Sequence, residues 1–136
     1  MEKQDKTNDL HEDNNCCAVI PGTRVVLTCS GASNLGQIAN AMSTRLQHCG
    51  MAKMTCLAAV AAGLPKFISN IETADDLLLI DGCKIACGKK VLENAQINKY
   101  RYYVVSDMLP ALTKEHRYDQ VEEEVNRLWQ YFTESI

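Results

Sequence analysis

The sequence predicts a three-layer α/β domain of Rossmann-like type, with a largely parallel sheet and helices on both faces. Three observations carry this expectation. The runs RVVLTCS (24–30), LLLI (77–80) and YYVVS (102–106) are apolar almost throughout, as strands buried on both faces are. Glycine-bearing turns, GASNLGQ and DGC, follow the first two runs. Helical periodicity follows those turns, and strands that alternate with helices build right-handed βαβ units around a parallel sheet.

The elements follow in order. After the first strand, Leu35, Ile38, Met42 and Leu46 recur at helical spacing and form one apolar face. The Ala-rich stretch 56–62 reads as a short buried helix, stopped by Gly63 and Pro65. Residues 77–80 form the second strand, Asp81-Gly82 the turn, and Lys84 to about Ala95 the next helix. A third strand is expected over residues 102–106. From Asp119 onward, Val121, Val125, Leu128, Trp129 and Phe132 share a face, and Asp119 and Glu122 are spaced like a capping box. The chain therefore ends in an amphipathic helix packed on the sheet.

Residues 1–20 lack periodic apolar positions and run into Pro21-Gly22, so they read as a flexible polar leader, with residues 21–136 as one domain. The leader's first fifteen residues hold five acidic groups against Lys3 and Lys6, which accounts for the whole net charge of −3. The remainder is charge-balanced and has no basic stripe to neutralise phosphates, which argues against nucleic acid as a partner. The longest apolar run is cut by Gly63 and Pro65, far short of the roughly 20 residues a membrane helix needs. The start is polar and acidic, unlike a secretory signal, so the expected location is the cytoplasm.

Seven cysteines in 136 residues are an odd number and too sparse for a disulfide scaffold. In a reducing compartment such thiols serve metal binding or redox chemistry more often than cross-links. Cys83 and Cys87, four apart at an expected helix start, would face the same way, where the helix dipole favours thiolate. Cys29 ends another strand beside its own helix and would share that advantage. Taken alone, Cys29 or Cys56 reads as a small buried hydrophobe. What points to a site is that two strand-to-helix turns each carry a thiol, at the edge where open α/β sheets bind ligands. Ser106-Asp107, at the end of the third expected strand, brings polar groups to the same edge.

The segments CSGASNLGQIA, MTCLAAVAAGLP and IDGCKIACGKK together resemble the DGC family, named for its Asp-Gly-Cys motif and described as zinc-binding. The likeness runs from about Arg24 to Pro110, with three motifs in matching order. It implies Zn²⁺ as cofactor and four chelating cysteines, which fall here on Cys29, Cys56, Cys83 and Cys87. It implies no reaction, and no catalytic residue is assigned. Four thiolates close a tetrahedral zinc site, whereas three leave a position for substrate or for metal transfer. The alternative is a cysteine-based redox or sulfur-transfer enzyme using Cys83 or Cys29 as nucleophile. An iron–sulfur cluster on the same thiolates is a third reading.

Cys16, Cys17 and Cys49 lie outside these motifs, and His48-Cys49 reads as a solvated loop before it reads as a ligand pair. Ser30, Gly31, Ser33, Asn34 and Gly36 form a candidate anion cradle for a small anionic ligand, because backbone amides converge at such turns. The alternative is that the glycines serve turn and packing only. No Lys follows Gly36, which excludes a P-loop, and no Arg stands six residues after Cys29 or Cys83, as a cysteine phosphatase requires. Asp81 is expected to cap the helix that follows it, with orientation of a metal ligand as the alternative.

Overall fold

The structure is a computed structural model and describes residues 23–136. The expected leader, with Cys16 and Cys17, lies outside the described residues. The elements are β1 (Arg24–Thr28), α1 (Asn34–His48), β2 (Lys53–Met54), α2 (Leu57–Ala61), α3 (Pro65–Glu72), β3 (Asp76–Asp81), α4 (Cys87–Asn94), β4 (Arg101–Val104), α5 (Val105–Met108) and α6 (Val121–Ser135).

All four strands are parallel, in the order β2-β1-β3-β4. The apolar runs are continuous because both faces of the sheet are covered. Val26, Leu78 and Ile80 pack with α1, α5 and α6 around Leu35, Ile38, Met42, Val105, Leu128 and Phe132. Val25, Leu27, Leu77 and Leu79 pack with Val60 of α2, Ile71 of α3 and Leu92 of α4. The fold is thus α/β with three layers, as the sequence predicts. Tyr103 meets Phe132 edge to face at 4.9 Å, which ties α6 to β4.

Several boundaries differ from expectation. Pro65 does not end the Ala-rich helix but begins α3, because its fixed φ and missing N–H suit a first helical turn. The short strand β2 has only two residues and gives no period-2 pattern to read. β4 stops at Val104, and Val105 and Ser106 open α5 instead of completing the strand. At α6, Asp119 pairs with Arg117 at 3.4 Å, while Gln120 precedes the helix with no side-chain cap, so the capping box does not form.

Candidate functional site

Strand order reverses between β1 and β3, which places the ligand-binding crevice of this fold beyond their carboxyl ends. Cys29 lies directly after β1. Its N–H donates to the Ile80 carbonyl at 3.2 Å, extending the β1–β3 ladder by one bond. Its Sγ accepts from the Gly82 N–H at 3.1 Å, so the β1 thiol rests on the turn that follows β3. Cys83 is the next residue of that turn, and Lys114 Nζ donates to its Sγ at 3.5 Å. Cys87 is the first residue of α4, and Cys56 lies just past β2 as the N-cap position of α2. Each of the strands β1, β2 and β3 therefore ends near a cysteine. Cys29, Cys56, Cys83 and Cys87 are all free thiols, the first and third half-buried and the other two exposed.

One expected feature is overturned. Cys83 and Cys87 do not share a helix, because α4 begins only at Cys87 and Ala86 before it is left-handed at φ 60°. The Ala86 N–H bonds the Cys83 carbonyl at 3.1 Å, so the two cysteines bracket a turn and the spacing of a helical pair does not apply. Glycine is needed on both sides of this turn. A Cβ on Gly82 would stand 2.6 Å from the Gly36 amide nitrogen, and one on Gly88 would stand 2.6 Å from the Asp81 carboxylate.

Asp81 does cap the following helix. Its side chain is wholly buried, and it accepts from the N–H groups of Gly88 at 2.9 Å and Lys89 at 3.1 Å. It also accepts from the Tyr102 hydroxyl at 2.8 Å. Burial first, and then this bond to Asp81, push the Tyr102 hydroxyl well above the ordinary phenol range.

Burial likewise pushes the Cys29 thiol up to about 11, with the nearby Asp81 and Cys87 charges adding to it and the Gly82 N–H opposing it. The expected lowering by a helix N-terminus does not occur at Cys29, because desolvation outweighs the amide that faces it.

The residues of the expected anion cradle are in part engaged by the chain itself. Ser33 caps α1 by accepting from the Gly36 N–H at 3.1 Å. The Asn34 N–H donates to the Glu115 carbonyl at 2.8 Å, and its side chain bonds both the Thr113 carbonyl and the Glu115 N–H. The Ala32 carbonyl accepts from the Tyr118 hydroxyl, and the Gly31 carbonyl from the Gln37 amide. Ser30 and Gly31 remain exposed, and Gly36 is buried against the Gly31 backbone.

Among the described residues, no three His, Cys, Asp or Glu side chains lie close enough together to hold a metal ion. The four free thiols share an edge and suit a soft metal chemically, but they are not drawn into a cage. A cavity of about 960 Å³ lies elsewhere, in an open groove between α1 and the start of α6 lined by residues such as Asn40, Arg45 and Val121. His48 ends α1 exposed, and Cys49 is half-buried against the core at its C-cap instead of in a solvated loop.

Sequence reasoning missed Lys114, which lies in an aperiodic polar stretch that gives no pattern to read. The bond from Tyr102 to Asp81 is equally absent from the sequence pattern, which places Tyr102 only in an apolar strand, although a tyrosine beside a buried strand end needs a hydroxyl partner.

These features define a parallel α/β domain with free cysteines along its carboxyl edge. The chain belongs to the DGC domain family, whose sequence model matches residues 25–131. It is 33% identical over 73 residues to the "Anaerobic and virulence modulator AnvM" of Pseudomonas aeruginosa. That match covers 54% of this chain and 56% of AnvM, so the chain spans about half the length of this relative. No solved structure matches the chain. Among the described residues, no helix is long and apolar enough to cross a membrane.

Proposed function

We propose that this protein is a zinc-binding module that holds one Zn²⁺ through Cys29, Cys56, Cys83 and Cys87 at the carboxyl edge of the sheet. The observation that supports this reading is that four free thiols lie at the ends of three parallel strands and at the start of α4. On this reading, exposed Cys56 and Cys87 would have to move toward half-buried Cys29 and Cys83 as the metal binds. Zinc binding would deprotonate the thiols, and Cys29, held neutral by burial, would lose its proton to solvent as its sulfur binds the metal. Four thiolates leave zinc no open position, which favours a structural, stored or sensing role over hydrolysis. AnvM is described as a modulator, and a binding role accords with that description. A reducing compartment such as the cytoplasm would keep the four thiols available.

Metal analysis of protein purified without chelator, paired with thiol titration, tests the proposal. One zinc per chain with four thiols shielded until chelator is added is the expected result. Metal-free protein with one rapidly alkylated cysteine, unaffected by added zinc, would overturn it.

A second reading, thiol redox or sulfur-transfer chemistry, is favoured by the Lys114 ammonium on Cys83 Sγ. It would assign the nucleophile to Cys83, since burial keeps Cys29 protonated.

A further inference from the structure

We infer that Asp81 is a positioning residue for the thiol edge: its carboxylate fixes the start of α4, and through it the placement of Cys87 relative to Cys29. The helix itself supplies no cap, because Ala86 stands at the N-cap position without a side-chain acceptor and in the left-handed region. The first-turn amides of a helix need partners, and here they find one on a neighbouring strand. One carboxylate oxygen takes the Gly88 N–H and the other takes the Lys89 N–H, the two residues directly after Cys87. Tyr102, on β4, donates to the second oxygen and sets the carboxylate from the far side.

Close packing makes this arrangement stiff. Gly88 approaches Asp81 so nearly that a Cβ there would stand 2.6 Å from the Oδ1 atom and 2.7 Å from Leu79. Asp81 ends β3 and the Gly82 N–H that follows it donates to Cys29 Sγ, so two consecutive residues hold the two thiol-bearing segments. With three hydrogen bonds inside the chain and no exposure, the carboxylate is built to orient. The second readout below rests on the zinc proposal, while the first does not.

In metal-free protein, the rate at which iodoacetamide alkylates Cys87 is compared with that of Cys56, in wild type, D81N, G88A and Y102F. Cys56 stands at the N-cap position of a different helix, α2, and serves as the internal reference. The ratio is expected to change at least about fivefold in D81N and G88A, and to stay within about twofold in Y102F, which keeps both amide bonds. Zinc titration of the same proteins is expected to show affinity about 10–100-fold lower in D81N, with the same number of thiols shielded. An unchanged alkylation ratio in a cooperatively folded D81N would overturn the inference, as would loss of all zinc binding with that ratio unchanged, which would make Asp81 a ligand. If D81N does not fold, G88A decides by the same ratio. If the wild type takes up no zinc, the zinc proposal fails, and the alkylation comparison still judges Asp81.

Discussion

Gly82 and Gly36 are in backbone contact, so close that a Cβ on Gly82 would stand 2.6 Å from the Gly36 nitrogen and 2.8 Å from its Cα. The turn after β3 is thereby seated on the first turn of α1, and both cysteine-bearing segments depend on that seat. Gly82→Ala is expected to destabilise the fold by about 2–3 kcal/mol, because backbone atoms must move to admit the methyl group. Gly31→Ala, with nothing within 4 Å of its Cβ position, is expected to change stability by less than about 0.5 kcal/mol. Urea denaturation midpoints of the two variants check the contrast.

A second prediction concerns acid stability. Asp76 bridges Arg24 at 2.7 Å and Arg101 across β1, β3 and β4. Burial alone would raise its pKa, but the Arg101 and Arg24 guanidinium bonds prevail and hold the carboxyl below its ordinary 3.8. A carboxylate with a depressed folded value stabilises the fold fully above the unfolded value, and that contribution is lost as pH falls through the folded one. Asp76→Asn is therefore expected to lower stability by about 1–2 kcal/mol at pH 7, with the gap to wild type narrowing below pH 4. Melting curves between pH 7 and pH 2.5 would show parallel losses instead if the ion pairs contributed nothing.

The raised pKa of Cys29 gives a third. In metal-free protein its alkylation is expected to be slow at pH 8 and to rise about tenfold per pH unit until the thiol titrates near 11. A site-resolved rate that levels off by pH 9 would show that burial does not govern this thiol.

Lys114 gives a fourth. A zinc ion on four thiolates carries a net charge of about −2, so a cation on one sulfur favours the loaded state. Lys114 donates to Cys83 at 3.5 Å. Lys114→Met is expected to weaken zinc binding by about tenfold, whereas Lys114→Arg keeps a charged donor and stays within about threefold. Competition with a chromophoric chelator measures both, and equal affinity in wild type and K114M would remove Lys114 from the site.

How far these features could be read in advance depends on the kind of signal. Val25 to Thr28 and Leu77 to Ile80 are buried on both faces and announce a parallel sheet, and the face of Leu35, Ile38, Met42 and Leu46 announces α1. The positions of Cys29 and Cys83 at strand ends were equally legible, because turn chemistry follows Ser30-Gly31 and Asp81-Gly82. The path from Cys83 to Cys87 was not. It turns on a left-handed Ala86 just before a helix whose first amides, those of Gly88 and Lys89, are taken by Asp81 from the neighbouring strand, and no local propensity encodes a contact of that kind. The contact of Lys114 with Cys83 spans 31 positions and was equally invisible. The depth of Cys29 was hidden too, since a cysteine at a strand end looks the same in sequence whether solvent reaches it or not.

The most direct test of the central proposal is X-ray absorption at the zinc edge on protein purified with its native metal. Four sulfur scatterers at about 2.3 Å, falling to three in each of the Cys29→Ser, Cys56→Ser, Cys83→Ser and Cys87→Ser variants, is the predicted result. A shell dominated by nitrogen or oxygen, or four sulfurs that persist when any one of these cysteines is replaced, would contradict it.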